Sequence, residues 1–97
     1  MKADYHKGSF FFDPYDPIYA DHFPGRPVVP GSLIMEAFVR AAEQLGIGIT
    51  ALTRFRFKRF APPGRYSYEL QISAGIVRCR LLNEGREYAC GKMCYDL

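Results

Sequence analysis

His22 and Glu36 stand out by type and spacing. The histidine opens the stretch HFPGRPVVPGSLIMEA, and the glutamate follows fourteen residues later, inside the most helix-like apolar run of the chain. Histidine titrates near neutral pH and can accept a proton. A carboxyl group in apolar surroundings has its pKa raised, so it can hold a proton and give it back. Backbone N–H groups at the start of a helix are free of helical partners, and the helix dipole adds positive potential there. Gly31 and Ser32 occupy that start, and Gly31 has no side chain to block a ligand. Pro24, Pro27 and Pro30 stiffen the loop between the histidine and the helix, as a preorganised site requires.

Each of these residues also has a plainer reading. His22 could bond across its own proline-rich loop. Glu36 shares a stripe with Arg40 and could pair with it at i, i+4. Pro30 and Gly31 suit an ordinary helix start. Phe23 reads as packing before substrate contact. Phe10, Phe11, Phe12, Tyr66 and Tyr68 could line a ligand tunnel, but core packing explains them better.

The elements that must hold these residues follow from the hydrophobic pattern. A short strand is expected over 8–13, after which DPYDP breaks regular structure and a loop runs to Gly31. A helix is expected from Ser32 to Leu45, closed by Gly46. Leu33, Ile34, Met35, Ala37, Phe38, Val39, Ala41, Ala42 and Leu45 cover a wide apolar arc, and Glu36, Arg40, Glu43 and Gln44 form a narrow polar stripe. Such a helix is largely buried. Residues 49–60 read as a strand with Ile49, Ala51, Thr53, Phe55 and Phe57 on one face and Arg54, Arg56 and Lys58 on the other; Leu52 breaks the pattern. Residues 65–73 alternate without fault, with Tyr66, Tyr68, Leu70 and Ile72 inward. Ala74-Gly75 and Asn83-Glu84-Gly85 turn the chain between two further strands. Short turns between period-two strands mean antiparallel pairing. The expected fold is α+β: an antiparallel sheet curled around one central helix.

The chain has 97 residues, which implies one domain over 1–97 and a modest core that pairing with a second copy would help. No run approaches the ~20 apolar residues of a membrane span, and MKADYHKGSFFF lacks the pattern of a signal peptide. A cytoplasmic protein is the expectation. Cys79, Cys90 and Cys94 are odd in number and contain no C-x-x-C, so they indicate free thiols rather than a disulfide framework or a zinc site. Cys90 and Cys94 should share one strand face. The net charge of +3 is too mild to require nucleic acid as the partner and suits an acidic one. Arg54, Arg56, Lys58, Arg59 and Arg65 cluster among phenylalanines. A solvated strand face explains them best, then docking of an acidic partner or a phosphate, with nucleic acid last.

HFPGRPVVPGSLIMEA resembles the signature of the (R)-3-hydroxyacyl-acyl carrier protein dehydratases, enzymes of the hot-dog fold. His22 and Glu36 match that signature in type and spacing, and FRFKRFAPPG is similar, more loosely, to its second signature. The resemblance covers residue 10 to the end. Only 21 residues precede His22, which implies a shortened N-terminal segment, and Arg40 stands where the family often has glutamine. The resemblance implies dehydration of 3-hydroxyacyl thioesters to trans-2-enoyl thioesters. That reaction removes a proton from C2 and hydroxide from C3. His22 would be the base, Glu36 the acid, and the Gly31 amide the donor to the thioester oxygen, with Phe23 and Ser32 at the substrate. No metal or redox cofactor is implied, because the phosphopantetheine arm belongs to the substrate. The implied partners are an acyl carrier protein or coenzyme A thioester and a second copy in a homodimer or an oligomer of dimers, with the histidine of one subunit meeting the glutamate of the other; neither nucleic acid nor membrane is implied. The alternative is a non-catalytic hot-dog module that binds an acyl carrier or serves as a partner subunit.

Overall fold

A computed structural model describes residues 4–21 and 25–97. His22 and Phe23 lie outside the described residues, as does the side chain of Asp21. The elements run β1 (Asp4–Phe12), α1 (Ile18–Asp21), α2 (Gly31–Gln44), β2 (Ile49–Phe57), β3 (Gly64–Ser73), β4 (Ile76–Asn83) and β5 (Arg86–Tyr95). The five strands form one antiparallel sheet in the order β1-β3-β4-β5-β2, so β1 and β2 are its edges. One long helix lies against its inner face, as the hydrophobic pattern requires.

Helix α2 ends as the sequence predicts. Gly46 takes φ +83°, its N–H reaches the Glu43 carbonyl at 2.9 Å, and the Ile47 N–H reaches Ala42 at 3.0 Å. These are the paired closing bonds of a Schellman motif, which a glycine at the left-handed position permits. Asn83 to Arg86 close the β4–β5 hairpin, with Glu84 at φ 50° and Gly85 at φ 75°. Two successive positive φ values define the type I′ turn that matches strand twist.

The core gathers on the inner face. Phe38 is fully buried at the centre of α2, with the rings of Phe10, Phe55 and Tyr68 at centroid distances of 5.2, 6.1 and 6.3 Å. Leu70, Val77, Cys79, Leu81, Ala89 and Met93 supply the floor from β3, β4 and β5. Burying one large apolar side chain of this kind contributes about 1.5–3 kcal/mol. Two glycines give the aromatic side chains their seats. A Cβ at Gly91 would stand 2.5 Å from the Phe55 ring, and one at Gly8 would stand 2.6 Å from Tyr68.

Four sequence expectations need correction. Strand β1 begins at Asp4, not near residue 8, because it pairs in unbroken register with β3 from Ile72 to Gly64. The segment after DPYDP is not all loop: Asp16 Oδ1 accepts the Ile18 N–H at 3.0 Å and one helical turn follows. Strand β2 ends at Phe57, short of residue 60. Its faces also differ from simple alternation. Leu52 lies opposite Met93 and Phe57 opposite Ala89, both partners buried, whereas Thr53 lies opposite Lys92 and Arg56 opposite Cys90. A bulge between Thr53 and Arg56, with Arg54 at φ 53°, resets the phase. Leu52, Phe55 and Phe57 therefore share the inner face; Thr53 does not. An extra residue in one strand of a pair has this effect.

The outer face of the sheet is basic. Arg78 lies directly opposite Lys92, and Arg80 opposite Cys90. Arg80 bonds both Glu69 (3.0 Å) and Glu87 (2.7 Å), and Lys58 also bonds Glu87. Burial holds the Cys79 thiol up at about 12, and all three cysteines are free. Register places Cys90 and Cys94 on one face, as expected.

Candidate active site

Helix α2 supplies the site's framework. Its N-cap is Pro30, in extended backbone and without a side-chain cap. The first helical bonds run from the Leu33 and Ile34 N–H groups to the Pro30 carbonyl, at 3.0 and 3.3 Å. The amides of Gly31 and Ser32 precede those bonds and lie at the positive end of the helix dipole. The extended segment before the helix is anchored by the Val29 N–H, which donates to the Ala61 carbonyl at 2.7 Å. The turn carrying Ala61 is held in turn by Tyr66, whose hydroxyl donates to the Pro62 carbonyl at 2.5 Å. Burial, with Tyr88 and Tyr19 nearby, pushes the Tyr66 hydroxyl up to about 12, so it keeps its proton.

Gly31 faces β2. A Cβ there would come 2.8 Å from the tip of the Phe57 ring, so a larger residue would make that half-exposed ring give way. Glu36 faces elsewhere. It lies five positions after Gly31, about 7.5 Å along the axis and more than a third of a turn around it. Within one chain, Gly31 and Glu36 are not brought onto one side of the helix. Ser32 is exposed beside Gly31.

Glu36 lines an open groove of about 540 Å³ between α2 and β1. Phe10, Phe12, Leu33, Ala37, Ala41 and Tyr68 give this groove an apolar side, and Asp13, Asp16, Glu36 and Arg40 a charged one. Phe10 stacks on Tyr68 with centroids 4.2 Å apart. Glu36 Oε1 accepts a hydrogen bond from Arg40 Nη2 at 2.5 Å, with the side chains 49% and 72% exposed. The carboxyl is therefore half-solvated in the single chain rather than enclosed by the apolar helix. The i, i+4 pair that sequence spacing allowed is formed. A second hollow, of about 500 Å³, is lined by Arg26, Pro27, Val28, Phe60 and Pro62. It borders the segment that follows His22–Pro24 in sequence, and the Phe60 ring is 81% exposed there.

Alternation already placed Phe57 on the face of Phe55. It could not show that the Phe57 ring covers Gly31, because the two meet only once β2 packs against the start of α2.

Comparison with known proteins gives the class. The chain matches the model of the ApeI-like family, described as ApeI dehydratase, over residues 2–90. It belongs to that family. It is 37% identical to the 3-hydroxyacyl-[acyl-carrier-protein] dehydratase FabZ of Herpetosiphon aurantiacus, over 68% of this chain and 53% of that protein. With FabZ of Thiobacillus denitrificans the identity is 40%, over 65% of this chain and 50% of the relative. The chain thus spans about half the length of these curated relatives. Among solved structures it superposes on a chain of the dehydratase heterocomplex ApeI:P from Xenorhabdus doucetiae with a TM-score of 0.80 at 18% identity, over 100% of both chains. An uncharacterized protein from Erwinia carotovora subsp. atroseptica gives 0.72 at 18% identity, over 97% of this chain and 89% of that one. The fold is the hot-dog fold.

Proposed function

We propose that the protein dehydrates (R)-3-hydroxyacyl thioesters, carried on an acyl carrier protein, to trans-2-enoyl thioesters. The carrying observation is the placement of Glu36: a carboxyl matching the dehydratase signature projects from α2 into a groove lined by apolar and aromatic side chains. Family membership and the FabZ relatives support the same reaction. His22 takes the C2 proton, and the electron pair forms the C2–C3 double bond. The C3–O bond breaks as Glu36 protonates the leaving oxygen, and water departs. The Gly31 amide donates to the thioester oxygen as charge builds there. Ser32 and Phe23 flank the substrate. The reaction draws on no metal or redox cofactor, because the phosphopantetheine arm is part of the substrate.

The site takes residues from two copies. Gly31 and Glu36 point to different sides of α2, which suits a site with His22 from one subunit and Glu36 from its partner. Met35, Ala37 and Val39 are only half-buried in the single chain, and a second hot-dog subunit would cover them. Edge strand β2 offers a free row of backbone groups for the joint. Residues 1–97 act as one hot-dog domain. Free thiols at Cys79, Cys90 and Cys94 fit the reducing cytoplasm. No helix among the described residues is long and apolar enough to cross a membrane.

The test is hydration of trans-2-enoyl thioesters of graded length, followed by loss of enoyl absorbance. His22→Ala and Glu36→Gln should each lower kcat by roughly 10²–10⁴-fold with the fold intact by circular dichroism. A folded wild-type protein that turns over no acyl length, on carrier or coenzyme A, yet binds the acyl carrier, would replace this reading with that of a binding module.

A further inference from the structure

We infer that Arg40 is a positioning residue for Glu36: its guanidinium ties down one carboxyl oxygen so that the other faces the groove. The inference rests on the proposed role of Glu36 in dehydration. Three carboxyl groups line the groove, and they are not equivalent. Asp13 Oδ1 accepts the Tyr15 N–H at 2.9 Å, and Asp16 Oδ1 accepts the Ile18 N–H at 3.0 Å. Both aspartates are engaged in holding the turn that leads to α1. Among the described residues Glu36 bonds no backbone group, and its partner is Arg40. Among the described residues, Arg40 is also the one cationic side chain lining the groove.

Glutamate has three side-chain torsions, and an exposed glutamate samples many rotamers. A proton donor must reach its acceptor within about 2.6–3.2 Å, so a freely sampling carboxyl spends little time in place. Arg40 lies one helical turn further on, where i and i+4 side chains meet. Its planar fork fixes the carboxyl more narrowly than a lysine ammonium would. With Oε1 taken at 2.5 Å, Oε2 is the oxygen left for chemistry. As a stability device the pair counts for little, because exposed ion pairs contribute little to folding. A purely structural pair therefore predicts unchanged turnover on its removal, and a positioning pair predicts a loss.

The experiment compares wild type, Glu36→Gln, Arg40→Met and Arg40→Gln in steady-state hydration of a trans-2-enoyl thioester. It is paired with nitrogen-15 NMR of the Arg40 guanidinium in wild type and Glu36→Gln. Arg40→Met should lower kcat about tenfold and leave KM within about twofold, as misplacement of a reacting group does. Arg40→Gln should recover most of the rate, since its amide N–H₂ can donate to the same carboxyl oxygen. The Arg40 Nη protons should give separate signals in wild type, because a held guanidinium rotates slowly, and merge in Glu36→Gln. Arg40→Met with wild-type kcat, in a protein that Glu36→Gln inactivates, overturns the positioning role and leaves the dehydratase reading standing. Guanidinium signals indifferent to Glu36→Gln overturn the pairing itself. A wild-type protein with no turnover removes the parent reading and the role together, whatever the NMR shows of the pair.

Discussion

A single methyl group at position 91 tests the core most sharply. Gly91 seats the Phe55 ring, and an added Cβ would stand 2.5 Å from it. Gly91→Ala should cost about 1–3 kcal/mol, the usual range for overpacking, read as a lower Tm. Adding Phe55→Leu should recover part of the loss; full stability of the single variant would mean that the ring does not rest there. Nothing in the sequence marks this pair, because residues 36 apart meet only once β2 and β5 are in register. The residues proposed for the site were more legible. The type and spacing of His22 and Glu36 are local, as is the i, i+4 relation that places Arg40 on the Glu36 carboxyl. The groove beside Glu36 was not legible, because its far wall is β1, which the chain brings to α2 only through the sheet. Half-exposure of Glu36 follows from the same cause: a wide apolar arc on a helix says that it is covered, but not that one chain covers it.

Elements differ in how much of them local chemistry decides. The end of α2, the β4–β5 turn and the alternation of β3 were all readable, since capping, turn type and period-two burial are short-range effects. The start of β1 was not, because Asp4–Lys7 owes its extension to pairing with β3 and carries no apolar alternation of its own. Strand β2 was half-readable. Its residue types announced a strand, yet the bulge at Arg54 shifts Thr53 outward and Leu52 inward. As an edge strand with bulges it is guarded against indiscriminate pairing, while Leu52 and Phe57 remain 40% and 46% exposed. If a second subunit joins along β2, Leu52→Lys should shift the protein toward monomer in sedimentation velocity and lower hydration activity in parallel. A dimer untouched by Leu52→Lys would move the joint to another surface.

At the scale of the whole molecule, charge is sorted by face. Among the described residues, Asp13, Asp16 and Glu36 line the groove with Arg40 as their one cation, whereas Arg78, Arg80 and Lys92 stand on the outer sheet. Glu87 is the hinge of the outer network. Hydrogen bonds from Lys58 and then Arg80 hold its carboxyl below the usual range. A depressed folded pKa gives stability that is present above the unfolded value, about 4.3, and lost as pH falls through the folded one. In acid titrations of Tm, wild type should therefore fall more steeply below about pH 4.3 than Glu87→Gln; parallel curves would mean that the pairs do not stabilise the fold. Among the described residues, Arg78 and Lys92 form no such pair. Like charges directly across a ladder destabilise it, and both nearby carboxylates are already bonded to Arg80. The molecule is thus electrically two-sided, with its positive pole on the outer sheet face and its negative pole at the groove mouth. In low salt, such a body does not meet its surroundings at random: an anionic neighbour turns it sheet-first before contact, and raising the ionic strength lets it tumble freely again.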